Sequence, residues 1–124
     1  MLLFSCSDHT IRIWKYYKTQ NTGSYIRLLI GHSREVTGLY WIPRSFRVFS
    51  TSLDGTVRLW DVDRGICIKM KRTEGYGYIA AVSSPNRLFF ACLTASQTVE
   101  IFSQTTLELL FTLLVLYLSI IDPR

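Results

Sequence analysis

Cysteine, histidine and proline are scarce in this 124-residue chain, with three, two and three copies. Cys6, Cys67 and Cys92 lie far apart and form no CxxC motif or Cys/His ligand spacing. The spacing therefore excludes a disulfide framework and a zinc site. We expect no cofactor and no metal, and a reducing intracellular compartment, either the cytoplasm or the nucleus.

Long apolar segments are also missing. The uncharged segment 109–121 would span about 20 Å as a helix, whereas a bilayer core is roughly 30 Å thick. At the N-terminus, the apolar residues 1–4 are followed at once by the polar segment Ser5–Arg12, which is too early for a secretory signal. We predict no membrane span and no signal peptide.

The formal net charge of +5 is unevenly distributed, because residues 1–72 hold twelve basic and five acidic residues while 73–124 hold two and four. Two basic segments could contact phosphate or nucleic acid: Lys15, Tyr16, Tyr17 and Lys18 in the first, and Lys69, Lys71 and Arg72 in the second. The alternative is a solvated surface and an extended hairpin whose tyrosines cover a sheet edge. No nucleic-acid motif accompanies either segment.

Three segments of the chain share one pattern: a short apolar run, a polar turn, and an alternating run that ends in an aromatic residue. They are Phe4–Trp14, Val48–Asp61 and Ala91–Phe102. Trp14 and Trp60 are 46 residues apart, and Trp60 and Phe102 are 42 apart. A period of roughly 40–45 residues with Gly-His and Trp-Asp dipeptides, here Gly31-His32 and Trp60-Asp61, is typical of β-propeller arrays.

On these residues the chain resembles the WD-repeat family. The resemblance implies an all-β fold, an incomplete WD-repeat β-propeller of antiparallel four-stranded blades with about two and a half repeats. We divide the chain into a partial repeat (1–30), a complete repeat (31–72), a degenerate repeat with its following strand (73–112) and an apolar tail outside the pattern (113–124). A closed propeller needs roughly 4–8 blades. We therefore expect further blades or self-association to be required.

Alternation of apolar and polar residues predicts the strands. We expect inner strands across 36–61 and 78–102, outer strands near 25–30, 66–70 and 107–112, and two strands within 2–15. Asp54-Gly55 predicts a two-residue type I′ turn, and Asn21–Ser24 predicts the turn after Trp14. Pro43 and Pro85 suit connections between strands.

The family resemblance also implies a hydrogen-bonded tetrad of His, Ser or Thr, Asp and Trp. By position these residues are His32, Ser50, Asp54 and Trp60. The third repeat has Glu74, Cys92, Ser96 and Phe102 in their places. A Ser, a His and an Asp could suggest catalysis, but the pattern supplies no oxyanion hole. We predict a structural role and no enzymatic activity.

Partner binding in this family implies a surface formed by the loop before the first inner strand and the turn before the Asp. Carried over by position, the candidates are Ser7, Glu35, Thr37, Leu53 and Ile79, with Gly77 and Ala95 as further loop positions. The function expected is a protein–protein interaction scaffold or adaptor, in a fragment or truncated isoform of a larger propeller. The alternatives are a basic nucleic-acid- or phosphate-binding module and a truncated product without independent function.

Overall fold

The computed structural model describes residues 2–42, 44–73 and 76–114. All regular secondary structure in these ranges is β-strand, and no helix there could cross a membrane. The strands are β1 (Leu2–Ser5), β2 (Ile11–Tyr17), β3 (Thr22–Leu29), β4 (Val36–Ile42), β5 (Arg47–Ser52), β6 (Thr56–Asp61), β7 (Ile66–Arg72), β8 (Tyr78–Ser83), β9 (Phe89–Thr94), β10 (Thr98–Ser103) and β11 (Leu109–Leu114).

The strands form three antiparallel meanders. Sheet 1 has the order β1-β2-β3, sheet 2 the order β4-β5-β6-β7, and sheet 3 contains β8 to β11 in chain order. In each meander successive turns alternate between two ends. The upper end carries the turns at 6–10, 53–55 and 95–97 and the connections between sheets; the lower end carries the turns at 18–21, 44–46, 62–65, 84–88 and 104–108.

The predicted inner strands agree with the structure, whereas several boundaries differ. β3 begins at Thr22, so Thr22, Gly23 and Ser24 belong to the strand and the turn covers 18–21 instead. Ladder pairing reaches Tyr17 opposite Thr22, which extends this hairpin beyond its predicted length. β11 ends at Leu114 and pairs with β10, so residues 113 and 114 belong to sheet 3 and not to the tail. Pro43, Glu74 and the tail from 115 to 124 lie outside the described residues.

The turn at Asp54-Gly55 is a three-residue loop, and the type I′ prediction was wrong. Gly55 N–H donates to the Ser52 carbonyl at 3.2 Å, and only Gly55 in this turn has a positive φ, +83°. His9 and Gln97 occupy the same position in the other two turns, with φ of 68° and 65°. A type I turn followed by a left-handed residue matches the twist of the flanking strands.

Two apolar clusters hold the sheets together. Between sheets 1 and 2 the buried residues are Ile11, Ile13, Leu29, Val48, Trp60 and Val62. Between sheets 2 and 3 they are Phe49, Val57, Leu59, Tyr78, Phe90, Cys92, Phe102 and Leu107. Phe49 and Phe90 stack with their ring centroids 3.8 Å apart. Alternation along β6 sends Val57 and Leu59 towards sheet 3 and Trp60 towards sheet 1, because successive side chains of a strand face opposite sides.

Candidate functional site

The polar site with the most hydrogen bonds lies at the upper end of sheet 2. His32 is in the connection from sheet 1, Ser50 is on β5, Asp54 is in the β5–β6 turn and Trp60 is on β6. Antiparallel pairing places Ser50 opposite Arg58, which brings Ser50 next to Trp60 on the face towards sheet 1. The hairpin therefore positions three of the four residues, and the connection adds His32.

The four side chains form one chain of hydrogen bonds. Trp60 Nε1–H donates to Ser50 Oγ at 2.8 Å. Ser50 Oγ lies 2.6 Å from His32 Nε2, and His32 Nδ1 lies 2.8 Å from Asp54 Oδ2. All four groups are satisfied when His32 carries its proton on Nδ1, donates to Asp54 and accepts from Ser50. This tautomer gives each buried polar atom a partner, which a buried relay requires.

The protonation states of His32 and Asp54 follow from the same geometry. Burial lowers the pKa of His32 below its ordinary value, so the ring is neutral at pH 7, although its bond to Asp54 opposes the shift. Burial alone would raise the pKa of Asp54, but hydrogen bonds from Thr56, His32 and the Ser33 N–H lower it to about 2. Thr56 donates from both Oγ1 and N–H to Asp54 Oδ1, at 2.6 and 2.8 Å. The result is an ionised carboxylate that holds a neutral imidazole.

Ser50, His32 and Asp54 have the spacing of a hydrolytic triad. Ser50 is 0% exposed, and its oxygen already accepts the Trp60 indole N–H. A nucleophile must reach substrate and needs donors aimed at the developing oxyanion. Since Ser50 is covered and its oxygen is engaged, the arrangement can stabilise the sheet but offers no route for acyl transfer.

Sheet 3 has a different polar contact at the equivalent place. Tyr78 Oη donates to Glu100 Oε1 at 2.6 Å, and Thr73 Oγ1 donates to Glu100 Oε2 at 3.3 Å. Burial, followed by the nearby Glu100 carboxylate, raises the pKa of Tyr78. Cys92, which replaces Ser50, is buried, and burial raises the pKa of its thiol to about 12. The sequence analysis missed the Tyr78–Glu100 pair. The signal available in the sequence was Glu100 itself, an acid at the position that Arg58 occupies in the preceding repeat.

Sheet 1 keeps part of the motif. Asp8 accepts from Thr10 Oγ1 at 2.6 Å, as Asp54 accepts from Thr56, and it also pairs with Arg12 at 3.1 Å. Hydrogen bonds from Thr10 lower the pKa of Asp8. Phe4 stands in place of Ser50 and is 49% exposed. The turn geometry is thus retained without a buried relay.

The structure separates the predicted partner-binding residues into two groups. Ser7, Glu35 and Leu53 lie at the upper end, where Leu53 N–H donates to the Glu35 carbonyl at 3.0 Å. Ala95 and Gly77 repeat this backbone contact at 2.8 Å in sheet 3.

Thr37 and Ile79 are the second residues of β4 and β8, so they follow these loops at the upper end but belong to strands. Thr37 Oγ1 donates to the Tyr78 carbonyl at 2.7 Å, which joins sheet 2 to sheet 3. Ile79, 46% exposed, occupies the same place on the outer side of sheet 3. Thr37 therefore serves a contact between sheets, whereas Ile79 remains exposed.

The two basic segments lie on different sheets and at opposite ends. Lys15, Tyr16, Tyr17 and Lys18 approach the lower end of sheet 1, whereas Lys71 and Arg72 end β7 at the upper end of sheet 2. The phenol of Tyr16 donates to Asn21 Oδ1 at 2.7 Å, and the Lys15 ammonium lies 5.4 Å from the Tyr17 ring centre. Lys69 Nζ donates to the Thr106 carbonyl of sheet 3 at 2.5 Å. The structure does not combine them into one phosphate-binding patch.

The described ranges contain neither a cluster of metal ligands nor a disulfide. There, no three His, Cys, Asp or Glu side chains converge as metal ligands, and all three thiols are free.

Comparisons with known proteins agree with this architecture. The family model "WD domain, G-beta repeat" matches residues 1–15 and 23–61. The F-box/WD repeat-containing protein sel-10 of Caenorhabditis elegans is 38% identical over 69 residues, which is 55% of this chain and 11% of that protein. The Denticleless protein homolog of Danio rerio is 41% identical over 87 residues, 65% of this chain and 13% of that protein.

Solved WD40 domains superpose on the sheets. The C-terminal WD40 domain of Sif2 matches with a TM-score of 0.73 and 25% identity, covering 85% of this chain and 28% of that one. The WD40 domain of Toxoplasma gondii coronin matches with a TM-score of 0.76 and 22% identity, covering 90% and 30%. The three sheets are β-propeller blades, and the chain belongs to the WD-repeat family. It spans between a tenth and a third of the relatives and structures described.

Proposed function

We propose that the chain acts as a protein–protein interaction segment of a larger WD-repeat propeller and that partners contact its upper end. The observation that carries this proposal is the pair of equivalent backbone contacts, Leu53 to Glu35 and Ala95 to Gly77. Each fixes a turn against a connecting loop, and Glu35 is exposed beside the partly exposed Leu53. A loop surface held by a rigid scaffold is a common form of binding site. The family membership supports the same role.

A photo-crosslinking side chain placed at Ser7, Glu35 or Leu53 tests this surface. In cell extract each position is expected to give discrete adducts with the same partner protein. The same group at Ser24 or Met70, exposed residues on outer strands, serves as the control. Equal adducts from the controls, or none from the upper end, would contradict the proposal.

The two outer faces of the array need cover from further sheets or from further copies of the chain. On sheet 3, Ile79, Val82 and Leu110 are 46%, 60% and 46% exposed. On sheet 1, Phe4 and Tyr25 are 49% and 45% exposed. Apolar area in water costs about 25 cal/mol per Å², so such faces favour association.

Val82→Lys tests the role of the sheet 3 face in the isolated chain. Light scattering is expected to show less self-association than for the parent. Phe46→Lys is the control, because Phe46 is 57% exposed in a lower-end turn. If both variants associate like the parent, the outer face of sheet 3 does not cause the self-association.

We propose no enzymatic function, because the only Ser-His-Asp arrangement in the described ranges is buried and engaged. Nucleic-acid binding is not proposed either, because the basic segments are apart and Lys69 is bonded within the protein. A reducing intracellular compartment is proposed on the three free thiols.

A further inference from the structure

A cleft with unpaired cationic side chains lies at the lower end, on the seam between sheets 2 and 3. It encloses about 320 Å³. Ile42 and Leu59 provide its apolar part, and Arg47 and Arg87 line it from the two different sheets. None of the proposed upper-end residues contributes to it.

The cleft carries positive charge without an acidic counterpart. In the part of the chain that the structure describes, neither guanidinium has a hydrogen bond or an ion pair, and no carboxylate lines the cleft. The acid closest in the ladder is Asp61, paired in register with Arg47. Asp61 is engaged by Arg64, whose Nε lies 2.9 Å from one carboxylate oxygen and whose N–H lies 3.2 Å from the other. In the described residues Arg47 thus makes no ion pair with Asp61, although the two lie opposite each other in the ladder.

The wall that carries Arg87 is fixed by hydrogen bonds. Gln104 Nε2 donates to Ser83 Oγ at 2.6 Å and to the Phe89 carbonyl at 2.9 Å, and Gln104 N–H donates to the Leu88 carbonyl at 2.9 Å. These contacts tie the β8–β9 turn to the β10–β11 turn. A preformed wall reduces the ordering cost of binding.

The upper-end cleft, of about 410 Å³, provides an internal comparison. It is also lined by two arginines, Arg34 and Arg72, but Asp54 lines it too. Arg34 additionally lies 3.9 Å from Glu35. An arginine pair without a carboxylate in the lining thus distinguishes the lower cleft from this upper one.

We propose that the lower cleft binds an acidic peptide segment of a partner protein, in which an aliphatic side chain is flanked by carboxylates. The aliphatic group covers the partly exposed Ile42, which gains apolar burial. The carboxylates face Arg47 and Arg87, whose planar guanidinium groups suit carboxylate geometry. A bare phosphate or a nucleic-acid backbone would satisfy the arginines but leave Ile42 in water. This surface goes beyond the upper-end function and is tested independently of it.

The test uses a fluorescein-labelled synthetic peptide with the sequence Gly-Ser-Glu-Leu-Glu-Ser-Gly and the full 124-residue chain, with fluorescence polarisation as the readout. Replacing both Glu of the peptide with Gln, or its Leu with Gly, is expected to weaken binding. Arg47→Gln and Arg87→Gln should each weaken it roughly threefold, and together about tenfold, as expected for exposed ion pairs. Arg34→Gln with Arg72→Gln is the matched control and should leave the affinity unchanged. Near-ultraviolet circular dichroism verifies the fold of each variant.

Several outcomes would overturn the inference. Absence of acidic-peptide binding, equal binding of a Lys-Leu-Lys peptide, or displacement by single-stranded RNA at matched charge would each do so. Loss of binding in the Arg34/Arg72 variant but not in the Arg47/Arg87 variant would move the site to the upper end. That last result would overturn the lower-cleft inference but leave the proposed interaction function at the upper end intact. Conversely, if upper-end crosslinking failed while the peptide still bound the lower cleft, only the proposed upper-end surface would be rejected.

Discussion

Arg27 and Lys69 occupy the same position in consecutive sheets, and each donates to a main-chain carbonyl of the next sheet. Arg27 pairs with Ile13 in its ladder as Lys69 pairs with Leu59. Arg27 donates to the Val62 carbonyl at 2.9 Å and also to that of Asp63, and Lys69 donates to that of Thr106. The outer strands are thereby joined to the lower-end turn of the following sheet.

Removing these donors is expected to loosen the sheet contacts. A net hydrogen bond contributes roughly 0.5–1.5 kcal/mol. Arg27→Met, which loses two bonds, should lower the free energy of unfolding by about 2 kcal/mol, and Lys69→Met by about 1 kcal/mol. Lys71→Met is the control, since Lys71 is exposed on the same strand as Lys69. Urea unfolding measures all three, and equal stability across the set would refute the role of the contacts.

Ser50→Ala should be among the most damaging small substitutions. It leaves the Trp60 indole N–H and His32 Nε2 without their partner inside the protein. A buried group left unsatisfied costs about 1–3 kcal/mol. Thermal unfolding should show a lower Tm for Ser50→Ala, while Ser24→Ala on an exposed strand position stays at the parent value. A parent-like Tm for Ser50→Ala would mean that the relay adds nothing to stability.

Acid should destabilise the fold through His32 first and Asp54 later. The pKa of His32 is lowered in the folded state from 6.5, so unfolding takes up a proton and stability falls as the pH drops below about 6.5. The Asp54 contribution is lost at lower pH, between 3.8 and about 2. His32→Gln should flatten the decline between pH 7 and pH 5, by at most about 1.4 kcal/mol per pH unit. Urea titrations of the parent and of His32→Gln across this pH range measure the difference, and equal declines would contradict the role of His32.

Glycine at the left-handed position of the β9–β10 turn should increase stability. Gln97 has φ 65°, where glycine avoids the steric cost of a Cβ atom. Gln97→Gly should raise the free energy of unfolding by about 0.5–1 kcal/mol. Ala95→Gly, in the same turn without a positive φ, should not. The opposite change, Gly55→Ala, should destabilise, since its Cβ would lie 2.7 Å from the Tyr76 carbonyl oxygen. Chemical unfolding of the three variants decides the point.

The strands and their order follow from the sequence itself, and the resemblance to WD repeats implied the positions of His32, Ser50, Asp54 and Trp60. Alternation along a strand is local, and the offsets of 46 and 42 residues align the apolar pattern of the three sheets, although the polar residues of the third repeat differ. The turn type at Gly55 was mispredicted because two adjacent turn residues do not reveal which of them adopts a positive φ.

Only the tertiary structure decided what Thr37, Lys69, Glu100 and Arg47 do. Their contacts or free surfaces depend on the distance between one sheet and the next, which repeat patterns do not encode. Thr37 and Lys69, candidates for external ligands by sequence, are engaged by carbonyls of sheet 3. Arg47 makes no ion pair in the described residues, and Arg64 bonds the carboxylate of Asp61 opposite it. Periodicity thus determined each sheet, whereas packing between sheets determined which polar groups remain for a partner.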